Sequence, residues 1–219
     1  MTIENKQPKK EVGHVVEDSS GLVFIEGRRI IMRPLLEEDF HLEYLSWLND
    51  PEVNEFSQRR PFPVNREGMR KYAEFYQQNP QRGFVLALIV KETRVHIGNI
   101  SLVNLEPVHR CAEIAILIGD KNHWNQGYAA EAIYLLTEHA FRRMNLHRVF
   151  AGTFNPAFGR CVAKLGWIKE GEFRERIWSE GRYHHQLWYG LLKSEFQARP
   201  EYAPLDGTLA DEPEEETKT

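Results

Sequence analysis

Trp124-Asn125-Gln126-Gly127-Tyr128-Ala129-Ala130-Glu131-Ala132 is the stretch that decides the fold, because it has the pattern of a tight turn opening a helix. Gly127 allows the backbone to approach a ligand closely, and the small residues after Tyr128 leave the first helical turn uncrowded. The first N–H groups of a helix have no partner within it, and the helix dipole favours negative charge there. The stretch therefore predicts a phosphate-binding turn, although a helix start without a ligand would also contain such a glycine.

The residues on both sides of the turn supply the structural context that a phosphate site needs. Residues 112–118 have strand character and end at the turn signal Gly119-Asp120. After the turn, apolar residues recur at steps of three and four, which is the period of a helix with one buried face. These residues are Ala129, Ala132, Ile133, Leu136 and Ala140. The pattern predicts a strand, an anion-binding turn and a helix in that order.

A second strand and helix follow directly. Residues 147–154 alternate in polarity and are rich in residues that favour strands. Asn155-Pro156 then opens a helix, with Asn at the N-cap and Pro at the first helical position. Gly166 is a residue typical of the position just after a helix ends.

The rest of the chain predicts two more helices and two hairpins. A helix is expected over about residues 37–48, with Trp47 and Leu48 facing inward, and another over about residues 66–76. The remaining strands are expected at residues 29–33, 84–90, 95–103, 171–178 and 183–192.

Composition favours one globular domain. The 219 residues are 42% hydrophobic and 11% aromatic, which is enough for a buried core. No apolar run of about 18 residues occurs, and the first ten residues lack the apolar segment of a signal peptide. Cys111 and Cys161 do not make a disulfide framework. We therefore expect a cytoplasmic protein that does not enter a membrane.

The two ends of the chain differ from its middle. We expect a flexible extension over residues 1–24, a domain over residues 25–196 and an acidic, disordered tail over residues 197–219. Residues 205–219 contain six acidic residues and one lysine, a net charge of −5 within the total of −4. The rest of the chain then carries about +1, which lacks the basic surface of a nucleic-acid-binding protein.

From Arg29 to about Leu192 the chain resembles the GCN5-related N-acetyltransferase (GNAT) superfamily, in the branch of ribosomal-protein N-terminal acetyltransferases and amino-sugar acetyltransferases. The matching stretches follow the family's order along most of the chain. They are residues 31–35, 38–39, 47–53, 97–100, 112–113, 124–132, 146–149, 155, 164–167, 171 and 181–183. The resemblance implies an α/β (α+β) fold: a mixed, mostly antiparallel sheet of about seven strands flanked by helices, with a splay between the fourth and fifth strands.

The resemblance also implies acetyl-coenzyme A (acetyl-CoA) as co-substrate, and it implies no metal ion. Backbone N–H groups of the turn would hold the pyrophosphate, and the fourth strand would pair with the pantetheine arm as an added strand does. The residues implied for these contacts are Gln126, Gly127, Tyr128, Ala129, Ala130, Ile116, Leu117 and Ile118. Asn155 is a further candidate beside the pantetheine, although its position as N-cap explains it without a ligand.

Acetyl transfer to an amine needs a proton acceptor, because an alkylamine has a pKa of about 10. Glu113 is the candidate that the resemblance implies, and a plain exposed carboxylate is the alternative. Leu117 shares its face of the strand and is expected to offer its backbone N–H to the oxyanion. Many relatives carry a tyrosine seven residues after the helix-opening Asn, which protonates the departing thiolate. This chain has Val162 there, so the general acid is not identified.

The resemblance places the acceptor wall after the first helix. The residues expected there are Trp47, Asn54, Glu55 and Phe56. Our first expectation for the acceptor is the primary amine of a small molecule, such as an amino sugar or a nucleotide-linked amino sugar. A protein N-terminus, as in the ribosomal-protein enzymes, is the second expectation, and a non-catalytic acetyl-CoA-binding relative is the third. The sequence leaves open whether the protein is a monomer or a homodimer.

Overall fold

The alternating and apolar segments of the sequence form one open sheet of eight strands in the computed structural model, which describes Asp18 and residues 20–204. The strands are β1 (Ile25–Glu26), β2 (Ile30–Pro34), β3 (Phe84–Val90), β4 (His96–Glu106), β5 (Cys111–Ile118), β6 (Arg148–Thr153), β7 (Ile168–Ser179) and β8 (Arg182–Leu192). Their spatial order is β1-β2-β3-β4-β5-β6-β8-β7, and all neighbours are antiparallel except the parallel pair β5 and β6. The predicted fold class is confirmed. The strand beyond the expected seven is β1, whose two residues are too few to give a sequence pattern.

The described residues form four α-helices, which lie on both faces of this sheet. They are α1 (Leu42–Asn49), α2 (Arg66–Gln78), α3 (Tyr128–Arg142) and α4 (Pro156–Lys164). The main core lies between the sheet and α3, whose Ile133 and Leu136 are fully buried, and Val162 of α4 belongs to the same core. A smaller cluster around Tyr44 and Met69 joins α1 to α2. Within the described residues, no helix is both long and apolar enough to cross a membrane.

The first predicted helix was wrong at its start. Residues 37–39 form a single 3-10 turn instead, and α1 begins only after His41. The cause is Asp39, whose carboxylate accepts from the Leu36 N–H at 2.7 Å and from both terminal nitrogens of the buried Arg33 at 2.7 and 2.8 Å. This pairing turns the chain inward, and the ring of His41 then caps α1 by accepting from the Tyr44 N–H at 3.1 Å.

Packing extends past both of the domain limits that we expected. The carboxylate of Asp18 accepts from Arg33 Nε at 3.0 Å, and the ring of Tyr202 lies 5.2 Å from that of Tyr134 on α3. Residues 1–17, Ser19 and residues 205–219, which make up most of the expected extension and tail, lie outside the described residues.

Candidate active site

The phosphate turn has the geometry that its sequence predicts. Asn125 and Gly127 both adopt left-handed backbone conformations, with φ of 59° and 85°, and Gly127 is the N-cap of α3. This curl leaves the backbone N–H groups of residues 126–130 without hydrogen-bond partners among the residues that the structure describes. Five successive free donors at the positive end of a helix form a cradle for an anion.

The sheet opens next to this turn. β5 pairs with β6 only through Cys111 to Glu113, opposite Arg148 to Phe150, whereas the other edge of β6 pairs with β8 along the whole strand. One edge of β5 from Ile114 onward therefore faces a gap between the strands, which we call the splay. Its position between the fourth and fifth of the seven strands expected from the sequence agrees with the resemblance.

The register of β5 decides which of its backbone groups face the splay. The N–H of Gly119, directly after β5, donates to the C=O of Ile97 on β4 at 2.9 Å. Along an antiparallel pair of strands, successive residues direct their N–H groups alternately toward the partner strand and away from it. Leu117 therefore directs its N–H at β4, whereas the N–H groups of Ile116 and Ile118 point into the splay. This finding corrects the expectation that the N–H of Leu117 meets the oxyanion.

Trp124 closes the end of the splay beside the turn. Its indole Nε1–H donates to the C=O of Ile118 at 2.8 Å. The side chains of Ile116 and Ile118 pack against the core beneath α3, so only their backbone groups face the gap. The N–H and C=O of Ile116 and the N–H of Ile118 thus remain for an extended amide-bearing ligand.

Glu113 is the last residue of β5 that pairs with β6, and it stands at the mouth of the splay. It lies on the sheet face opposite α3, and its carboxylate accepts from Asn104 Nδ2 at 2.7 Å. The hydroxyl of Tyr76 on α2 lies within electrostatic range of this carboxylate: burial raises the pKa of Tyr76, and the nearby Tyr72 and Glu113 raise it further. We call this side of the sheet, with α1, α2 and the β7–β8 hairpin, the acceptor face.

Two tyrosines of α2 bring polar groups to the acceptor face. The Tyr72 hydroxyl lies 3.5 Å from Ser101 Oγ on β4, and the rings of Tyr72 and Tyr76 are 5.2 Å apart. The guanidinium carbon of Arg59, in the loop between α1 and α2, lies 4.5 Å from the centre of the Tyr72 ring. Hydroxyl groups, aromatic faces and one cation therefore adjoin Glu113.

The α1–α2 loop also reaches across the sheet to the β7–β8 hairpin. The ring of Phe56 lies 5.5 Å from that of Phe154, which in turn lies 5.5 Å from the ring of His184. Arg60 Nη2 forms a salt bridge with Glu180 Oε1 at 2.7 Å. The acceptor face is therefore bounded on this side by a loop and a hairpin that are bonded together.

Two of the four residues expected in the acceptor wall have other positions. Asn54 is 5% exposed, and its Nδ2 donates to the C=O groups of Trp47 and Asp50 at 2.6 and 2.9 Å, so it caps the end of α1. Glu55 is exposed to solvent. Trp47 belongs to α1 of the acceptor face, and its ring packs on Gly119, where an added Cβ would clash with it. Phe56 is also at the acceptor face, beside Phe154.

The start of helix α4 shows the role of Asn155, and its interior shows what occupies the position of the tyrosine that relatives carry. Asn155 Oδ1 accepts from the N–H groups of Ala157 and Phe158 at 2.8 and 3.4 Å, so its N-cap role is real and only its Nδ2 is left for a ligand. Val162 is fully buried and carries no titratable group. Burial raises the pKa of the neighbouring Cys161 thiol, which keeps that thiol protonated.

Sequence reasoning missed the acceptor-face residues Tyr72, Tyr76, Phe154 and His184 as a group. The spacing of four residues between Tyr72 and Tyr76 indicates one face of a helix. Nothing local indicates that this face meets β4, or that Phe154 meets Phe56.

Comparisons with known proteins identify the family of this chain. A family model described as the acetyltransferase (GNAT) domain matches residues 29–168. The chain is 27% identical over 173 residues to an uncharacterized N-acetyltransferase of Bacillus subtilis (strain 168), YoaA, covering 77% of this chain and 96% of that protein. It is 25% identical over 155 residues to the spermidine N(1)-acetyltransferase of Vibrio cholerae serotype O1, covering 70% of this chain and 87% of that protein.

Solved structures show the same fold. The spermidine N-acetyltransferase from Vibrio cholerae, in complex with CoA and spermine, matches with a TM-score of 0.69 at 20% identity, covering 76% of this chain and 97% of that chain. The family model covers well over half of the chain, and it confirms the predicted acetyltransferase with acetyl-CoA as co-substrate. The chain therefore belongs to the GNAT acetyltransferase family.

Proposed function

We propose that this acetyltransferase acylates the primary amine of a small molecule whose remaining part is neutral or anionic, such as an amino sugar or a nucleotide-linked amino sugar. The observation that carries the proposal is that the α1–α2 loop is bonded across the sheet. Arg60 of this loop forms a salt bridge with Glu180 of the β7–β8 hairpin, and Phe56 packs against Phe154 at the end of β6. A loop bonded across the sheet limits the acceptor space. A polypeptide N-terminus, by contrast, needs an open path for the chain that follows it.

The cofactor end of the proposal rests on backbone groups. The free N–H groups of residues 126–130 fit a pyrophosphate, and the absence of a side chain at Gly127 permits close approach. The backbone groups of Ile116 and Ile118 that face the splay fit the amide-rich pantetheine. The same two N–H groups are the donors available to an oxyanion, since Leu117 is directed at β4.

Glu113 is proposed as the group that accepts the amine proton, directly or through a water molecule. Its carboxylate lies at the mouth of the splay and is held by Asn104 rather than by a cation, so it is free of a salt bridge among the described residues. The neighbouring Tyr72, Tyr76 and Ser101 hydroxyls offer hydrogen bonds to a polyhydroxylated acceptor. Aromatic rings beside them offer apolar faces.

One cation of the acceptor face is unfavourable for a polycationic acceptor. Arg59 is stacked on Tyr72 and has no salt bridge among the described residues, whereas the charge of Arg60 is paired with that of Glu180. A polyamine would place a further ammonium group near Arg59, which is unfavourable, whereas a phosphate would be attracted to this guanidinium group. This argument separates the proposed acceptor from spermidine, which the Vibrio cholerae relative's name specifies.

No general acid is required by the proposal. Val162 has no proton to donate, and burial raises the pKa of the Cys161 thiol, which makes it a weaker acid than an ordinary thiol. Thiols titrate near pH 8.5, so CoA can depart as a thiolate without a proton donor. Cytoplasmic location and oligomeric state remain predictions.

Release of CoA across a panel of acceptors tests the proposal. We expect glucosamine or a nucleotide-linked amino sugar to give a kcat/KM at least about tenfold above that of spermidine and of a peptide with a free N-terminus. A preference for the peptide would overturn the proposal in favour of protein N-terminal acetylation. Tight CoA binding without turnover of any amine would instead favour a non-catalytic relative.

A further inference from the structure

Arg29, just before β2, places its guanidinium group beside the phosphate turn. Nη1 donates to the C=O of Gln126 at 2.8 Å, and a Cβ added at Gly127 would lie 3.2 Å from Nη2. The guanidinium carbon also lies 4.7 Å from the centre of the Tyr128 ring. Three consecutive residues of the turn therefore adjoin one cation, which comes from a position 97 residues before Gln126 in the chain.

Glu131, in the first turn of α3, fixes the direction of this guanidinium group. Its fully buried carboxylate accepts from Arg29 Nε at 2.9 Å, from the Arg29 N–H at 2.7 Å and from the Ile30 N–H at 3.3 Å. A guanidinium group held in this way loses little further freedom when it binds a ligand.

One nitrogen of Arg29 is left for a ligand. Nη2 has no hydrogen-bond partner within the part of the chain that the structure describes, and the Arg29 side chain is 41% exposed. Guanidinium N–H groups bind phosphate oxygens strongly, because the hydrogen bond carries charge on both sides. The free N–H groups of the turn attract an anion to the same place.

We propose that Arg29 binds the pyrophosphate of acetyl-CoA through Nη2, with Glu131 as its positioning residue. The cation adds charge to a cradle that otherwise consists of neutral backbone donors. This inference rests on the cofactor site proposed above and is independent of the acceptor.

Calorimetric titration of the full chain with CoA and with dephospho-CoA, which lacks the 3′-phosphate, tests the proposal without any amine present. Arg29→Ala should weaken the binding of both ligands equally, by about fivefold or more. Arg28→Ala, the control, removes the same charge from the adjacent exposed residue and should change the affinity by less than about twofold. If Arg29→Ala weakened the binding of CoA but not that of dephospho-CoA, the proposal would be overturned, because Arg29 would then contact the 3′-phosphate.

A second variant separates binding from folding. Arg29→Ala leaves the carboxylate of Glu131 buried without its cation, which destabilises the fold. The double variant Arg29→Ala/Glu131→Gln removes both charges and should recover much of the lost thermal stability, while CoA binding stays weak. Wild-type affinity in this folded double variant would overturn the proposal.

Glu131→Gln alone tests the positioning role. The KM for acetyl-CoA should rise about twofold to threefold, because the guanidinium group loses its fixed direction, while kcat and the KM for the amine stay unchanged. A fall in kcat at unchanged KM for acetyl-CoA would contradict this role.

Discussion

The cofactor side and the acceptor face differ in which groups of the chain build them. On the cofactor side, backbone N–H groups of residues 126–130 are consecutive, and they follow directly from one turn and one helix start. On the acceptor face, the side chains of Phe56, Phe154 and His184 come from three distant segments. Backbone donors are the same for any residue that fits the turn, whereas the acceptor face changes with every side chain. The difference suits a family that keeps one co-substrate and varies the acceptor.

Substitution of Glu113 should have the largest effect. If the acceptor face supplies the proton acceptor, Glu113→Gln lowers kcat by about tenfold or more and leaves the Kd for CoA nearly unchanged. Steady-state rates and calorimetry measure the two quantities. Glu106→Gln, at the exposed end of β4, is the control and should retain full activity. Full turnover with weak CoA binding in Glu113→Gln would assign Glu113 to the cofactor side. It would contradict the view that the cofactor side is built from backbone groups and the acceptor face from side chains.

Gly127→Val should affect only the cofactor side. The positive φ of 85° is strained for a valine, and the new side chain would press on Arg29, so CoA binding weakens severalfold or more. Calorimetry on the folded variant measures this loss. Gly166→Val is a matched control, because Gly166 has a φ of 93° with nothing within 4 Å, and it should keep its CoA affinity. Unchanged affinity in Gly127→Val would remove the proposed phosphate site.

Acid should destabilise the scaffold of the acceptor face through His96. Burial lowers the pKa of this fully buried ring below the ordinary value of 6.5, against the opposing charge of Asp39 3.8 Å away. Arg33, His41 and Tyr44 also adjoin the ring. The unfolded chain then binds a proton that the folded protein rejects. The contribution of the neutral His96 ring to stability is therefore full well above pH 6.5, and it is lost as the pH falls through 6.5 toward the lower pKa of the folded state.

Urea unfolding at pH 7.5 and 5.5 measures this effect, and we expect a loss of about 1 kcal/mol in the wild type. The loss should be smaller in His96→Gln and unaltered in His109→Gln, whose ring is exposed in the β4–β5 turn. An equal loss in all three proteins would assign the acid sensitivity to other groups. His41 would be the next to test, because burial also lowers its pKa.

The smallest effect on activity is expected from removing the Arg60–Glu180 salt bridge, which joins the α1–α2 loop to the β7–β8 hairpin. Arg60→Ala and Glu180→Gln should each raise the KM for the acceptor about twofold to threefold, because an exposed salt bridge contributes little. The KM for acetyl-CoA should not change. The double variant should be no worse than either single variant, since both remove one contact. Fully additive effects would mean that the two residues act separately. Lys71→Ala, in the exposed pair with Glu67 on α2, is the control.

The sequence predicted local features well. The helix of α3, the N-cap at Asn155, the turn at Gly127 and the hairpins each depend on residues within a few positions of one another, and all are present. It erred at Asp39 and Asn54. Asp39 breaks the expected helix because it pairs with Arg33 on another element, and Asn54 is buried against the end of α1.

The sequence by itself therefore determined the order of most elements, the family and the position of the turn that we propose binds phosphate, because period, capping and glycine conformation are local properties. Only the tertiary structure decided that the N–H of Leu117 is directed at β4, since this depends on the register between two strands. Only the tertiary structure brought Arg29 to the turn and Phe56 to Phe154, because a chain folded into a sheet places residues from distant segments side by side.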